Sequence, residues 1–219
     1  MANRPVYAVS NGVRHFSRID TEFQFFRGLS AAQKKRCVES LHQAYLSQFR
    51  DEKVLEVSSV SENPLGVALS AFNLMIEDAE CGMKYSVECA FQAGKMFEHG
   101  GPYTDLLAGS SIAAKKEERL KTSGRIIGFT YKGEDFNIIP KTAFYNWLYM
   151  KALHSHPELA SQIVEYDAFT DISFNPQKSI NCQAEAAAIY VSLYRKGLLE
   201  EAMSSSDSFL RIIYGVQKK

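Results

Sequence analysis

Apolar and polar positions alternate in two β-prone runs around Asn11-Gly12 in "PVYAVSNGVRHFSRI". Both residues of that pair tolerate positive φ, so the pattern predicts a hairpin turning there. A second β-like patch, "TEFQFF", stops at Gly28. From Ser30, a good N-cap, Val38, Leu41, Tyr45 and Leu46 recur at helical spacing. "KVLEVSSVS" reads as extended, and "NPLGVALSAFNLMI" as a loop leading into a strand. "YSVECAFQAGKMFEHGGPY", residues 85–103, reads as one helix that begins near Ser86 and stops at Gly-Gly-Pro. "SSIAAKKEERLKTSG" predicts a charged helix, and "RIIGFTYKGEDFNIIP" a hairpin around Lys132-Gly133. Two helices divided at Pro157 follow, then a buried helix in "NCQAEAAAIYVSLYRKG" and a short last one in "SSDSFLRIIYG". Residues 167–180 show neither period, and loops of that length are often functional. The predicted class is α+β, a helix-dominated single domain with short hairpins.

Composition narrows the classes. At 219 residues the chain can bury about 70% of its unfolded surface and needs no metal or disulfide to hold a core. Lys+Arg and Asp+Glu are both 25, so no broad attraction to nucleic acid is expected, although a local basic patch stays open. Cys37, Cys81, Cys89 and Cys182 form no C-x-x-C pair, and "MANRPVYAVS" carries no apolar run of a signal peptide. No stretch approaches the ~20 apolar residues that span a bilayer. A soluble, cytoplasmic protein with reduced thiols, without a membrane partner, is the expectation.

Several candidate chemistries are weak. His154 and His156 do not face each other on a helix, and no third ligand stands nearby, so no metal site is expected. Cys89 falls on the apolar side of its helix, as a small buried hydrophobe does. The nucleotide-cradling glycine motifs are absent. Lys115, Lys116, Arg119, Lys121 and Arg125 could meet phosphates, but Glu117 and Glu118 interrupt them and a solvated, ion-paired helix explains them as well. The 85–103 segment offers more. At about 100° per residue, Glu88, Gln92, Lys95 and His99 fall within roughly 60° of one another. They form either the wet face of an amphipathic helix or the wall of a pocket.

The residues also carry a resemblance. "SVECAFQAGKMF" resembles the S-E-x-x-F-Q-x-x-K-F helix of the NADAR superfamily, named for a proposed link to NAD and ADP-ribose. "VSSVSENPLGVALSAFNL" is similar to that family's strand-and-loop ending in Ser-Asn-Phe, here with Phe72 and Asn73. "EYDAFTDISFNPQKSINCQAEAAAIYVSLYR" resembles its N-D-A-x-W…N-x-L-G-x-x-L block, matching at Asp167, Ala168 and Asn181. The departures are Phe169, Thr170 and Asp171 where the family has its tryptophan, and Ser179 and Ala184 in place of glycines. Residues 1–50 look like an N-terminal hairpin and helix extension packed on a 51–219 catalytic domain. Compact members lack it, and the longer form resembles the branch that serves as antitoxin to DarT-type toxins, which ADP-ribosylate guanine in DNA.

The resemblance implies a hydrolase that removes ADP-ribose from guanine in DNA, with ADP-ribosylated DNA and ADP-ribose as its ligands, the cognate toxin as a partner, and no cofactor. Cleaving an N-glycoside builds positive charge at the anomeric carbon, and a neighbouring carboxylate stabilises it or passes protons. Glu88 matches the family's catalytic Glu. Lys95 would form a Schiff base with the opened sugar or bind the diphosphate, and Asp167, with Asp171, would bring a second acid. Gln92 would bind a ribose hydroxyl or orient Glu88. Phe72, Asn73 and Asn181 would contact substrate, Asn181 serving equally well as a helix cap. Phe169 or Phe174 would stack on a base. Two other readings stay open: an N-glycosidase on a phosphorylated ribosylamine, and a non-catalytic module that senses ADP-ribose or blocks the toxin by contact.

Overall fold

The computed structural model describes residues 1–28, 30–79 and 82–216; Cys81 lies outside them. Strands β1 (Ala2–Val9) and β2 (Phe16–Phe23) pair along their whole length, so the two sequence patches after Gly12 form one strand. The hairpin is present, but its turn is not made at Asn11-Gly12. His15 takes the positive φ, 63°. The reason is docking: His15 is buried, with Nε2 3.3 Å from the Ile212 carbonyl and Nδ1 3.2 Å from Lys196 Nζ.

Helix α1 (Ala31–Leu46) starts on Ser30, whose hydroxyl accepts from the Gln33 N–H. It buries Cys37, Val38, Leu41 and Tyr45. Next come β3 (Val54–Glu56) and α2 (Pro64–Ala68), a short helix where a loop is expected from sequence; Asn63 caps it and proline sits in its first turn. β4 (Met75–Asp78) and β5 (Met83–Ser86) pair antiparallel.

The helix expected over 85–103 is much shorter. α3 spans Val87–Ala93 and ends at Gly94, after which Lys95–Phe97 forms strand β6. The cause is steric and directional. The Thr130 N–H donates to the Gly94 carbonyl at 2.8 Å, and a Cβ on Gly94 would lie 2.6 Å from the Thr130 carbonyl oxygen and 2.8 Å from the Phe144 ring. Strand pairing therefore captures the chain where the helix would have continued.

The charged segment forms two helices, α4 (Ser111–Lys116) and α5 (Arg119–Thr122). They part where Glu117 turns back to accept from Arg119 N and Nε at 3.2 and 2.9 Å. β7 (Ile126–Tyr131) and β8 (Glu134–Phe136) form the expected hairpin, with φ of 49° at Lys132 and 77° at Gly133. Helices α6 (Ala143–His154) and α7 (Pro157–Ile163) divide at Pro157 as expected. Residues 168–170 of the aperiodic segment are strand β9 (Ala168–Thr170), and α8 (Gln183–Arg195), α9 (Leu199–Met203) and α10 (Ser206–Tyr214) complete the α+β fold.

The sheet order is β2-β1-β9-β3, with β1 antiparallel and β3 parallel to β9. β9 is thus an inner strand and is fully buried on both faces. Residues 1–50 supply half of this sheet. Ala184, Ala186, Ala187 and Ala188 have no exposed surface, and these small side chains let α8 lie close against α6, β1 and β9. Among the described residues no helix is long and apolar enough to cross a membrane.

Candidate active site

The N-terminus of α3 is built first by local hydrogen bonds. Ser86 Oγ accepts from Cys89 N at 3.1 Å and shares a hydrogen bond of 2.7 Å with Ser111 Oγ. Ser111 in turn donates to the Phe72 carbonyl at 2.9 Å, and Glu88 N donates to the Ala71 carbonyl at 2.9 Å. Gln183, at the start of α8, accepts from Ala71 N at 2.7 Å and donates to the Val57 carbonyl. The 70–74 turn is therefore clamped against α3 from two sides.

On that frame stands a continuous polar line. Glu88 is 5% exposed, and its Oε1 accepts from Gln92 Nε2 at 2.8 Å. Gln92 Oε1 accepts from Lys95 Nζ at 2.6 Å. Lys95 has left the helix, yet the turn at Gly94 returns it to the line. Its ammonium lies 4.7 Å from the Phe91 ring centroid. Burial pushes the lysine down to about 8, against the pull of Glu88 and with help from Lys115. A measurable fraction of the amine is then neutral near pH 7.

Lys115 closes the mouth. Its Nζ is 3.9 Å from Glu88 Oε1 and 5.1 Å from the Phe72 ring centroid. Asp171 enters from the loop after β9, with Oδ1 accepting from Ser173 N at 3.0 Å and Phe174 N at 3.2 Å. Burial and the nearby Glu56 carboxyl raise its affinity for a proton, opposed by those two N–H groups and by Lys115. Burial likewise raises the Tyr145 phenol, with the charges of Glu88 and Asp171 both contributing. Tyr145 and Lys115 thus each sense both carboxyl groups.

Glu56 is fully buried behind Asp171. It accepts from Thr170 Oγ1 at 2.6 Å and from Ile172 N at 2.9 Å, and burial raises its proton affinity. His42 Nε2 lies 2.8 Å from Thr170 Oγ1, and burial holds this imidazole down to about 4. The neutral ring therefore donates Nε2–H to Thr170, which passes its own hydrogen to Glu56. Through these bonds α1 fixes the start of the Asp171 loop.

A family model described as the DarT1-associated NADAR antitoxin matches residues 2–219. The chain belongs to that family. No curated protein matches it.

The match spans the N-terminal hairpin as well as the site, in line with β1 pairing directly to β9 in this antitoxin-family chain. Of the residues singled out from sequence, the fold brings Glu88, Gln92, Lys95, Phe72 and Asp171 together. It places the others elsewhere. Asp167 sits at the far end of β9, where it accepts from Arg195 Nη2 at 3.1 Å and Lys53 N at 2.9 Å. Asp167 and Asp171 flank β9 on opposite ends, held about 13 Å apart by its extended backbone. Phe169 has no exposed surface and packs in the core, so it presents no face for stacking. Asn73 is exposed and donates to the Val67 carbonyl at 2.9 Å. Asn181 is not the cap of α8, since Cys182 holds that position. Its Oδ1 is buried and has no hydrogen-bond partner in the fold. His99 leaves the stripe, its N–H donating to the Ser123 carbonyl beyond β6.

The basic run divides in the same way. Arg119 pairs with Asp105 and Glu117, and Arg125 with Glu98, while Lys115 alone of the five meets Glu88. His154 pairs with Glu200 and His156 with the Ala152 carbonyl. Lys115 was legible only as one of five possible phosphate contacts, and Tyr145 and Glu56 were not legible as site residues. Of these two, only Glu56 left a trace, as an acid inside the apolar run "VLEV".

Proposed function

We propose that this antitoxin-family chain hydrolyses the N-glycosidic bond between ADP-ribose and guanine in DNA. The observation that supports it is a buried carboxylate, Glu88, and a second carboxyl group, Asp171, that keeps its proton unusually well, both acting on Tyr145 and Lys115. Departure of guanine leaves positive charge on the anomeric carbon, which Glu88 stabilises while orienting the attacking water. Asp171 gives its proton to the exocyclic nitrogen as the carbon–nitrogen bond breaks, and water supplies the hydroxyl of the released ADP-ribose. Glu88 takes the proton that water loses. Gln92 fixes Glu88, and Lys115 meets the diphosphate. The guanine reaches the site unpaired, because its reacting atoms are inaccessible in a stacked duplex. The reaction takes place in the cytoplasm.

Lys95 supports a covalent variant of the same chemistry. Its amine, held down to about 8, can add to the opened sugar and expel the guanine amine, leaving an imine that water then hydrolyses.

Co-expression with a guanine-modifying DarT-type toxin tests the reading. Wild type restores growth, whereas folded Glu88→Gln does not. Equal rescue by Glu88→Gln would replace catalysis with blockade by contact.

A further inference from the structure

The Glu88 line does not border a second cavity in the fold. That cavity, about 550 Å³, opens between the β1–β2 hairpin, the 174–180 loop and α10. Its volume suits a small-molecule ligand. Its floor is polar and already ordered. Asn146 donates to Glu185 Oε1 at 3.0 Å and to the Tyr214 hydroxyl at 2.9 Å, and Thr142 lies 3.1 Å from that hydroxyl. Burial raises the proton affinity of Glu185, opposed by hydrogen bonds from Asn146 and Thr142 and by the charge of Arg18. Phe16 and Phe174 supply aromatic lining, and Arg14 and Arg18 stand exposed at the rim. Arg18 donates to Asp20 through Nε and Nη2, both at 3.0 Å.

Two guanidinium groups at the entrance repel a cationic ligand, so Glu185 is not a socket for a lysine or arginine. The lining calls for a molecule anionic at its outer end and rich in N–H donors at its inner end. We propose that this cavity is a second binding site, for a guanine nucleotide, with the base edge on Glu185 and the phosphate on Arg14 and Arg18. Guanine carries two adjacent donors, N1–H and the 2-amino group, which a carboxylate accepts side by side. Adenine puts an acceptor, N1, beside its amino group and faces the carboxylate with a lone pair. Arginine meets phosphate in bidentate geometry, and aromatic rings stack on any base. The nucleotide is either free or an unpaired member of a DNA strand, since both present the same groups. The site is independent of the reaction at Glu88.

Calorimetric titration of the full chain with GMP, AMP and inorganic phosphate tests this. GMP binds, with AMP and phosphate at least about tenfold weaker, as expected for loss of a charge-assisted pair. The surface double variant Arg14→Ala/Arg18→Ala weakens GMP by about tenfold or more, Glu185→Gln removes the preference over AMP, and Glu88→Gln leaves binding unchanged. A short guanine-containing single strand that displaces GMP assigns the site to nucleic acid, and failure to displace it assigns the free nucleotide. Absence of GMP binding, equal binding of AMP, or binding abolished by Glu88→Gln but untouched by the arginine double variant would overturn the proposal.

Discussion

Lys95→Met should make the protein more stable at pH 7. Burial holds this lysine at about 8 instead of its ordinary 10.5. Below pH 8 the folded and unfolded states are both protonated, and the folded state carries the full penalty of burying the charge, ~3 kcal/mol. Between pH 8 and 10.5 the unfolded chain binds more protons than the folded one, so stability rises with pH across that window and the penalty fades. Methionine has similar length and no charge. Its cost is the lost donor to Gln92 Oε1, ~1 kcal/mol. The net gain at pH 7 is therefore about 2 kcal/mol, shrinking toward zero or slightly below it near pH 10.5. Urea denaturation of wild type and variant at pH 7 and pH 10 measures both quantities. A variant that is no more stable at pH 7, or whose advantage does not change with pH, would refute the assignment of Lys95 as a buried, costly amine.

Other outcomes follow from the same geometry. Gly94→Ala forces a Cβ to within 2.6 Å of the Thr130 carbonyl oxygen, so thermal unfolding should show a loss of about 1–3 kcal/mol and Lys95 should fall out of line. Asp171→Asn should lower turnover by about 10² or more. In wild type, activity should decline as pH rises through the raised value of Asp171, because the proton it donates is lost, and that limb of the pH–rate profile should vanish in the variant. Lys115→Ala, at an exposed position, should leave unfolding unchanged yet weaken ADP-ribose about tenfold in titrations. Cyanoborohydride added during turnover should trap sugar on Lys95 if the covalent variant operates, as intact-mass measurement would detect.

Much of the fold was legible, because its signals are local: Ser30 capping α1, Lys132-Gly133 turning β7 into β8, Pro157 opening α7. The misreadings arose where a distant partner outweighed the local preference. Residues 94–97 have a helical period, but β7 and Phe144 crowd Gly94 and pull Lys95 into a strand. Gly12 has the freedom to turn the hairpin, but docking against α8 and α10 assigns the strained position to His15. The site was half legible for the same reason. Glu88, Gln92 and Lys95 lie within eight residues and share a side under either geometry. Asp171 had to be carried from the far end of the chain by β9, and Asp167 and Phe169, closer to the resemblance, were carried into an ion pair and the core. Lys115 reads as one more solvated lysine until α4 is packed on α3.

The central claim is that Glu88 and Asp171 act on one glycosidic bond. The most direct test is the mass of an oligonucleotide carrying a single ADP-ribosylated guanine, measured after incubation with wild type, Glu88→Gln or Asp171→Asn. Wild type should return the strand to the mass of unmodified DNA and release free ADP-ribose, while both folded variants leave the adduct in place. An adduct that survives the wild-type protein, or is removed as quickly by either variant, would contradict the account.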